Sequence, residues 1–187
     1  MNFTKYELFP VLALKIDLTD TISKEMIAKV DHTKEHLTTK CELSNAYSTL
    51  GQINHILDVD TFEPLLQELT NTLLIGVRQE YDLAEYQITD SILVNIPKNG
   101  YLHPKKYFNS TFHIVVNVCH NDIQLILENP QFHTKTADFS ANSANQYNSQ
   151  FTSIALNSME AIIIPSGMNY SFSDVSREIT FIQVNVN

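Results

Sequence analysis

Residues 159–186 read MEAIIIPSGMNYSFSDVSREITFIQVNV. Three short apolar runs lie in this stretch, Ala161–Ile164, Met168–Phe172 and Ile179–Val186, parted by Pro165-Ser166-Gly167 and by Ser173-Asp174. Short runs rich in β-branched and aromatic residues and bounded by turn formers predict strands. The same pattern extends back to Tyr86 through Gln87–Ile96, Thr111–Cys119, Ile123–Leu127 and Phe151–Leu156. Pro97-Lys98-Asn99-Gly100, His120-Asn121-Asp122 and Asn157-Ser158 punctuate it. Strands at a spacing of about 8–12 residues predict an all-β sandwich or barrel. The polar stretch 133–150 (HTKTADFSANSANQYNSQ) reads as a long loop.

Before Tyr86 the period changes. Leu8–Leu18 (LFPVLALKIDL) reads as an opening strand, with Pro10 at its edge or first position. Thr21–Leu37 predicts a helix, with Thr21 or Ser23 available to cap it. Residues 38–59 are polar and irregular. Asp60 with Glu63 resembles a capping box. From there Phe62, Leu65, Leu66, Leu69, Leu73, Val77 and Tyr81 form one face of a second helix, about five turns long. The expected organisation is one domain over 1–187. Residues 1–85 form a strand and helical layer on a β-sandwich of 86–187, in keeping with roughly 150 residues per domain.

Composition removes several classes of function. Four glycines stand singly at 51, 76, 100 and 167. A dinucleotide-binding or P-loop motif needs several within a few residues, so that phosphates can approach bare backbone; neither is present. The net charge is −9, from 12 basic and 21 acidic residues. The longest basic cluster is Lys105-Lys106, so no nucleic-acid partner is expected. Cys41 and Cys119 read as reduced thiols, and no signal or membrane-spanning segment is visible, so a cytoplasmic location is expected.

Nucleophilic catalysis finds no support. Pro165-Ser166-Gly167 reads as a turn, and neighbouring strand residues such as Cys119 and His120 point to opposite faces. His32 and His36, four residues apart on the first helix, are placed to share a metal ion, but no third ligand is evident and a solvated pair is the plainer reading. His113 lies on a strand and His103 in the turn before it. A β-sandwich holding Fe(II) uses two histidines and a carboxylate. Here Lys105 stands two residues after His103, and a protonated lysine cannot be a ligand.

The chain resembles the 2-oxoglutarate/Fe(II)-dependent oxygenases, in particular a prolyl hydroxylase-like branch common in phage and marine bacterial genomes. The resemblance rests on Glu7-Leu8-Phe9-Pro10-Val11; on Val94-Asn95-Ile96, Gly100, Lys105-Lys106-Tyr107 and Phe108-Asn109-Ser110; and on Asn129-Pro130. It continues through Met159 to Phe172 and from Arg177 to Asn185, and spans 6–17 and 88–187. It implies a double-stranded β-helix (a jelly roll, cupin-like) packed against two helices. It also places the two proximal metal ligands at Lys105 and Tyr107 and the distal one at Tyr170. Arg177 falls where the family holds the 2-oxoglutarate carboxylate, a task suited to a bidentate guanidinium; a surface arginine opening the last strand is the competing reading. A register slipped onto His103 or His113 supplies no carboxylate nearby, the next acid being Asp122.

With all three ligand positions replaced, the resemblance implies a catalytically degenerate oxygenase-like protein. It would be a binding or structural module that needs neither Fe(II) nor 2-oxoglutarate and works through a protein partner or self-assembly. An Asn-, Ile- and Thr-rich composition fits a phage-like genome and a virion part in the host cytoplasm. The alternatives are an active Fe(II)/2-oxoglutarate dioxygenase in which His103 is a ligand, and a pocket that keeps a small carboxylate on Arg177.

Overall fold

A computed structural model describes residues 3–8, 11–81, 86–105, 110–130, 150–173 and 175–187. Strands β1 (Phe3–Leu8) and β2 (Val11–Asp17) pair as an antiparallel hairpin. The strand expected over Leu8–Leu18 matches β2 and only the last residue of β1, whose Thr4, Lys5 and Glu7 give it no apolar run. Helix α1 (Lys24–Lys34) follows. Ser23 is its cap, its side chain accepting from the Met26 N–H at 3.2 Å. Strands β3 (Thr39–Lys40) and β4 (Tyr47–Ser48) are minimal.

The expected capping box does not form. Asp60–Phe62 is a 3₁₀ turn, and α2 (Glu63–Thr72) starts from Phe62 with Pro64 in its first turn and no side-chain cap. Proline suits that position because the N–H it lacks has no partner there. A π turn (Leu73–Val77) and a last helical turn (Arg78–Tyr81) continue the same rod. Of the face expected from the sequence, Phe62, Leu65, Leu69, Leu73 and Val77 are buried and Leu66 is half-buried.

The β-half consists of β5 (Ile88–Ile96), β6 (Leu102–Lys105), β7 (Phe112–Asn117), β8 (Ile123–Glu128), β9 (Phe151–Leu156), β10 (Glu160–Pro165), β11 (Tyr170–Phe172) and β12 (Ile179–Val186). One sheet runs β1-β2-β10-β7-β12-β5-β4-β3 and the other β6-β11-β8-β9. The pairings between these strands are antiparallel, including β12 with both β5 and β7. The stretch Leu102–Lys105, read from sequence as a turn, is a strand paired with β11. It carries one large apolar residue, a proline and two polar residues, so its apolar signal is too short to see. The stretch 133–150 lies outside the described residues except for Gln150.

Two cores result. Between the sheets lie Val94, Ile96, Val115, Leu125, Ile162, Tyr170, Phe172 and Phe181. Between the larger sheet and the helices lie Leu65, Leu69, Leu93, Ile114, Ile163, Ile182 and Val184. The central strands therefore bury both faces, and β12 is buried from end to end. Burial on this scale contributes roughly 25 cal/mol per Å² of apolar surface and is what fixes the sheet order.

Candidate functional site

Alternation along β12 sends Ile179 and Phe181 into the sandwich and Ile182, Val184 and Val186 toward the helices. Gln183 and Asn185 therefore point inward as well. On the neighbouring strand the same rule turns His113 and Val115 inward, and the register sets Asn185 against His113 and Asp90. One end of the interior is thus apolar and the other carries a layer of polar groups.

That layer is hydrogen-bonded throughout. Tyr170, fully buried on the opposite sheet, donates its hydroxyl to Gln183 Oε1 at 2.5 Å. Gln183 Nε2 donates to Asn185 Oδ1 at 3.2 Å, and His113 Nδ1 lies 2.9 Å from the same oxygen. As Oδ1 is an acceptor, this sets Nδ1 as the protonated nitrogen. Asn185 Nδ2 donates to Asp90 Oδ1 at 2.7 Å. Burial holds the His113 pKa below its ordinary value, partly opposed by the bond to Asn185 and the charge on Asp90. The imidazole is therefore neutral near pH 7.

Of the residues singled out from sequence, the structure describes Tyr170, Arg177 and His103 in full and Lys105 by its backbone. Tyr170 packs edge-on against Phe172 and Phe181, with ring centroids 6.4 and 6.3 Å away. Lys105 is its register partner on β6. His103 is exposed on that strand, and its N–H donates to Ser44 Oγ at 2.9 Å. Tyr107 lies outside the described residues. Arg177 is exposed and precedes β12; its Nη1 donates to Asn121 Oδ1 at 3.1 Å. Gln183, the partner of Tyr170, lies about 13 Å further along the strand from Ile179 at the usual rise per residue. Arg177 stands two residues before Ile179, where β12 begins. Arg177 borders its own cleft of about 590 Å³, shared with His120, Asp122, Gln124 and Glu178.

Cys119 is half-buried in the turn after β7 and packs against the core between the sheets. Its thiol donates to the Thr180 carbonyl at 2.8 Å and accepts from the Thr180 N–H at 2.7 Å. Burial raises its pKa, which keeps it a thiol rather than a nucleophilic thiolate. A second cavity, about 640 Å³, opens between α2 and the start of β5, lined by His55, Asp58, Thr70 and Tyr86. Gln183 and Asn185 are not singled out by the sequence, and His113 enters it only as a ligand in a slipped register. The signal was present in Phe112–Asn117 (FHIVVN), where His113 shares a parity with Val115 while Phe112, Ile114 and Val116 face the helices.

No family model matches the chain, and no curated protein matches it. Solved structures do. A Pseudomonas putida prolyl-4-hydroxylase superposes with a TM-score of 0.60 at 9% identity, covering 94% of this chain and 91% of that one. The viral collagen prolyl hydroxylase of Paramecium Bursaria Chlorella virus-1 gives 0.58 at 10% identity, covering 93% and 94%. HygX from Streptomyces hygroscopicus, solved with nickel and 2-oxoglutarate, gives 0.58 at 10%, covering 94% and 82%.

The fold is that of the 2-oxoglutarate/Fe(II) oxygenases.

It is the double-stranded β-helix with helices on one sheet, as the resemblance implies. An oxygenase-fold metal centre needs two imidazoles and a carboxylate converging on one point. Among the described residues of this interior there is one histidine, and Asn185 stands between it and Asp90. The described residues of this interior do not supply that set, and the Arg177 guanidinium donates to Asn121. No helix among the described residues is long and apolar enough to cross a membrane.

Proposed function

We propose that this chain is a catalytically degenerate member of the oxygenase fold, acting as a binding or structural module. The observation that carries the reading is Tyr170. At the position the resemblance assigns to the distal ligand stands a phenol, buried among Phe172 and Phe181 and hydrogen-bonded to Gln183. A side chain packed in this way fills the space in which substrate and cofactor would meet, and a neutral phenol held as a donor is no ligand for Fe(II). A protein partner or self-assembly is the mode of action that follows, and a virion component is the setting its composition suggests.

The test is turnover. Full-length protein incubated with Fe(II), ascorbate and 2-oxoglutarate is expected to release no succinate above the rate without protein. Succinate formation that is lost in His103→Ala would overturn the proposal and establish the active dioxygenase instead. A second reading is favoured by the cleft beside Arg177: a small carboxylate held there without metal. Thermal stabilisation by millimolar 2-oxoglutarate that disappears in Arg177→Ala supports it; an unchanged melting temperature dismisses it.

A further inference from the structure

We infer that His32, Glu35 and His36 form a divalent-cation site at the C-terminal end of α1, taking an ion of the Zn²⁺ or Ni²⁺ kind. This site shares no residue with the sandwich interior and does not depend on the reading given to that interior. The sequence shows two histidines one helical turn apart; the structure adds the third ligand. Glu35, immediately before His36, brings its carboxylate to the same point, and one ligand atom from each residue lies within 4.8 Å of the others. The two imidazoles stand edge to face, with centroids 5.0 Å apart and planes at 79°. Positions i, i+3 and i+4 share one helix face, which is why these three side chains meet.

All three are exposed, while Met26 and Val30 hold the opposite side of α1 against the core. Bonds of about 2 Å to a tetrahedral ion require ligand atoms roughly 3.3 Å apart. Rotation of exposed side chains reaches that separation without backbone movement. Two imidazoles and one carboxylate select zinc, nickel or copper over magnesium or calcium, which prefer all-oxygen sites. The unpaired carbonyls at a helix C-terminus carry partial negative charge and add to the attraction. Lys34 would oppose it, but its ammonium is engaged by Asp31 at 3.0 Å and Glu178 at 3.3 Å. Beyond the helix the turn is held by His36 N–H to the Thr33 carbonyl at 3.1 Å and Leu37 N–H to the Lys34 carbonyl at 3.3 Å. An ion bound across His32 and His36 fastens this last turn.

The experiment is calorimetric titration of the full-length, chelator-treated chain with zinc chloride, alongside thermal melts. One equivalent is expected to bind and raise the melting temperature. His32→Ala and His36→Ala should each weaken binding about tenfold or more, since each removes one of three ligands. Their circular dichroism and metal-free melting temperatures should match the parent, as the residues are exposed. Absence of saturable binding overturns the inference. So does unchanged affinity in the His32→Ala/His36→Ala double variant, which would place the ion elsewhere, for example on the Cys119 thiol.

Discussion

Tyr170 and Gln183, thirteen residues apart, join the two sheets of the sandwich through a buried hydrogen bond. One belongs to β11 of the four-stranded sheet and the other to β12 of the eight-stranded sheet, so the bond crosses the interior. It also divides that interior. On one side Phe172 and Phe181 pack at 5.2 Å between ring centroids, and on the other the amide and imidazole layer begins.

Removing the hydroxyl tests this cross-link. Tyr170→Phe keeps the ring packing and loses the bond, and is expected to cost about 1–2 kcal/mol of stability by urea denaturation. Combined with Gln183→Leu it should be non-additive, with a coupling of at least about 0.5 kcal/mol. Additive losses would mean the two side chains stabilise the fold independently.

His113 makes stability depend on pH. Its pKa in the folded state lies below the ordinary 6.5, so the unfolded chain takes up a proton first. Its contribution is fully present above 6.5 and is lost as the pH falls from there through the folded pKa. His113→Gln should flatten the part of the stability profile below 6.5, read from denaturation midpoints between pH 7.5 and 5. An unchanged slope in the variant would assign the acid sensitivity to other groups.

Gly100 is required by space rather than by its dihedral angles. A Cβ there would lie 2.7 Å from both the Asn45 and Pro97 carbonyl oxygens, in a turn where Asn99 has a φ of 61°. Gly100→Ala is expected to cost about 2 kcal/mol, measured as a fall in the urea midpoint. The turn leads into β6, so β6 should lose amide protection before the central strands do.

Thiol chemistry reports on the Cys119–Thr180 contact. With its pKa raised and both hydrogen-bonding roles taken by Thr180, Cys119 should react with a disulfide reagent far more slowly in the native chain than in urea. Rapid native labelling would show that the turn after β7 opens.

Much of this architecture was legible in the sequence. The strands after Tyr86 and the face of α2 follow from period, because a residue's side of a strand or helix is a local property. The hairpin of β1 and β2, and strand β6, were not legible. In the first, Thr4, Lys5 and Glu7 break up the apolar pattern of β1; in the second, Leu102 is the single large apolar residue of the strand. The capping box failed because Asp60 enters a 3₁₀ turn instead of standing next to the helix.

The site divides in the same way. The sequence alone excluded phosphate-cradling glycine loops, pointed to the fold through the resemblance of its β-half, and placed a phenol where that resemblance expects a ligand. It also placed His113 on a strand. It left open which inward residues meet. Gln183 lies beside Tyr170, Asn185 between His113 and Asp90, and Arg177 at the far end of β12. Each of these depends on the register between strands distant in the chain. That register is set by how two sheets and a helical layer pack together, which no local pattern contains.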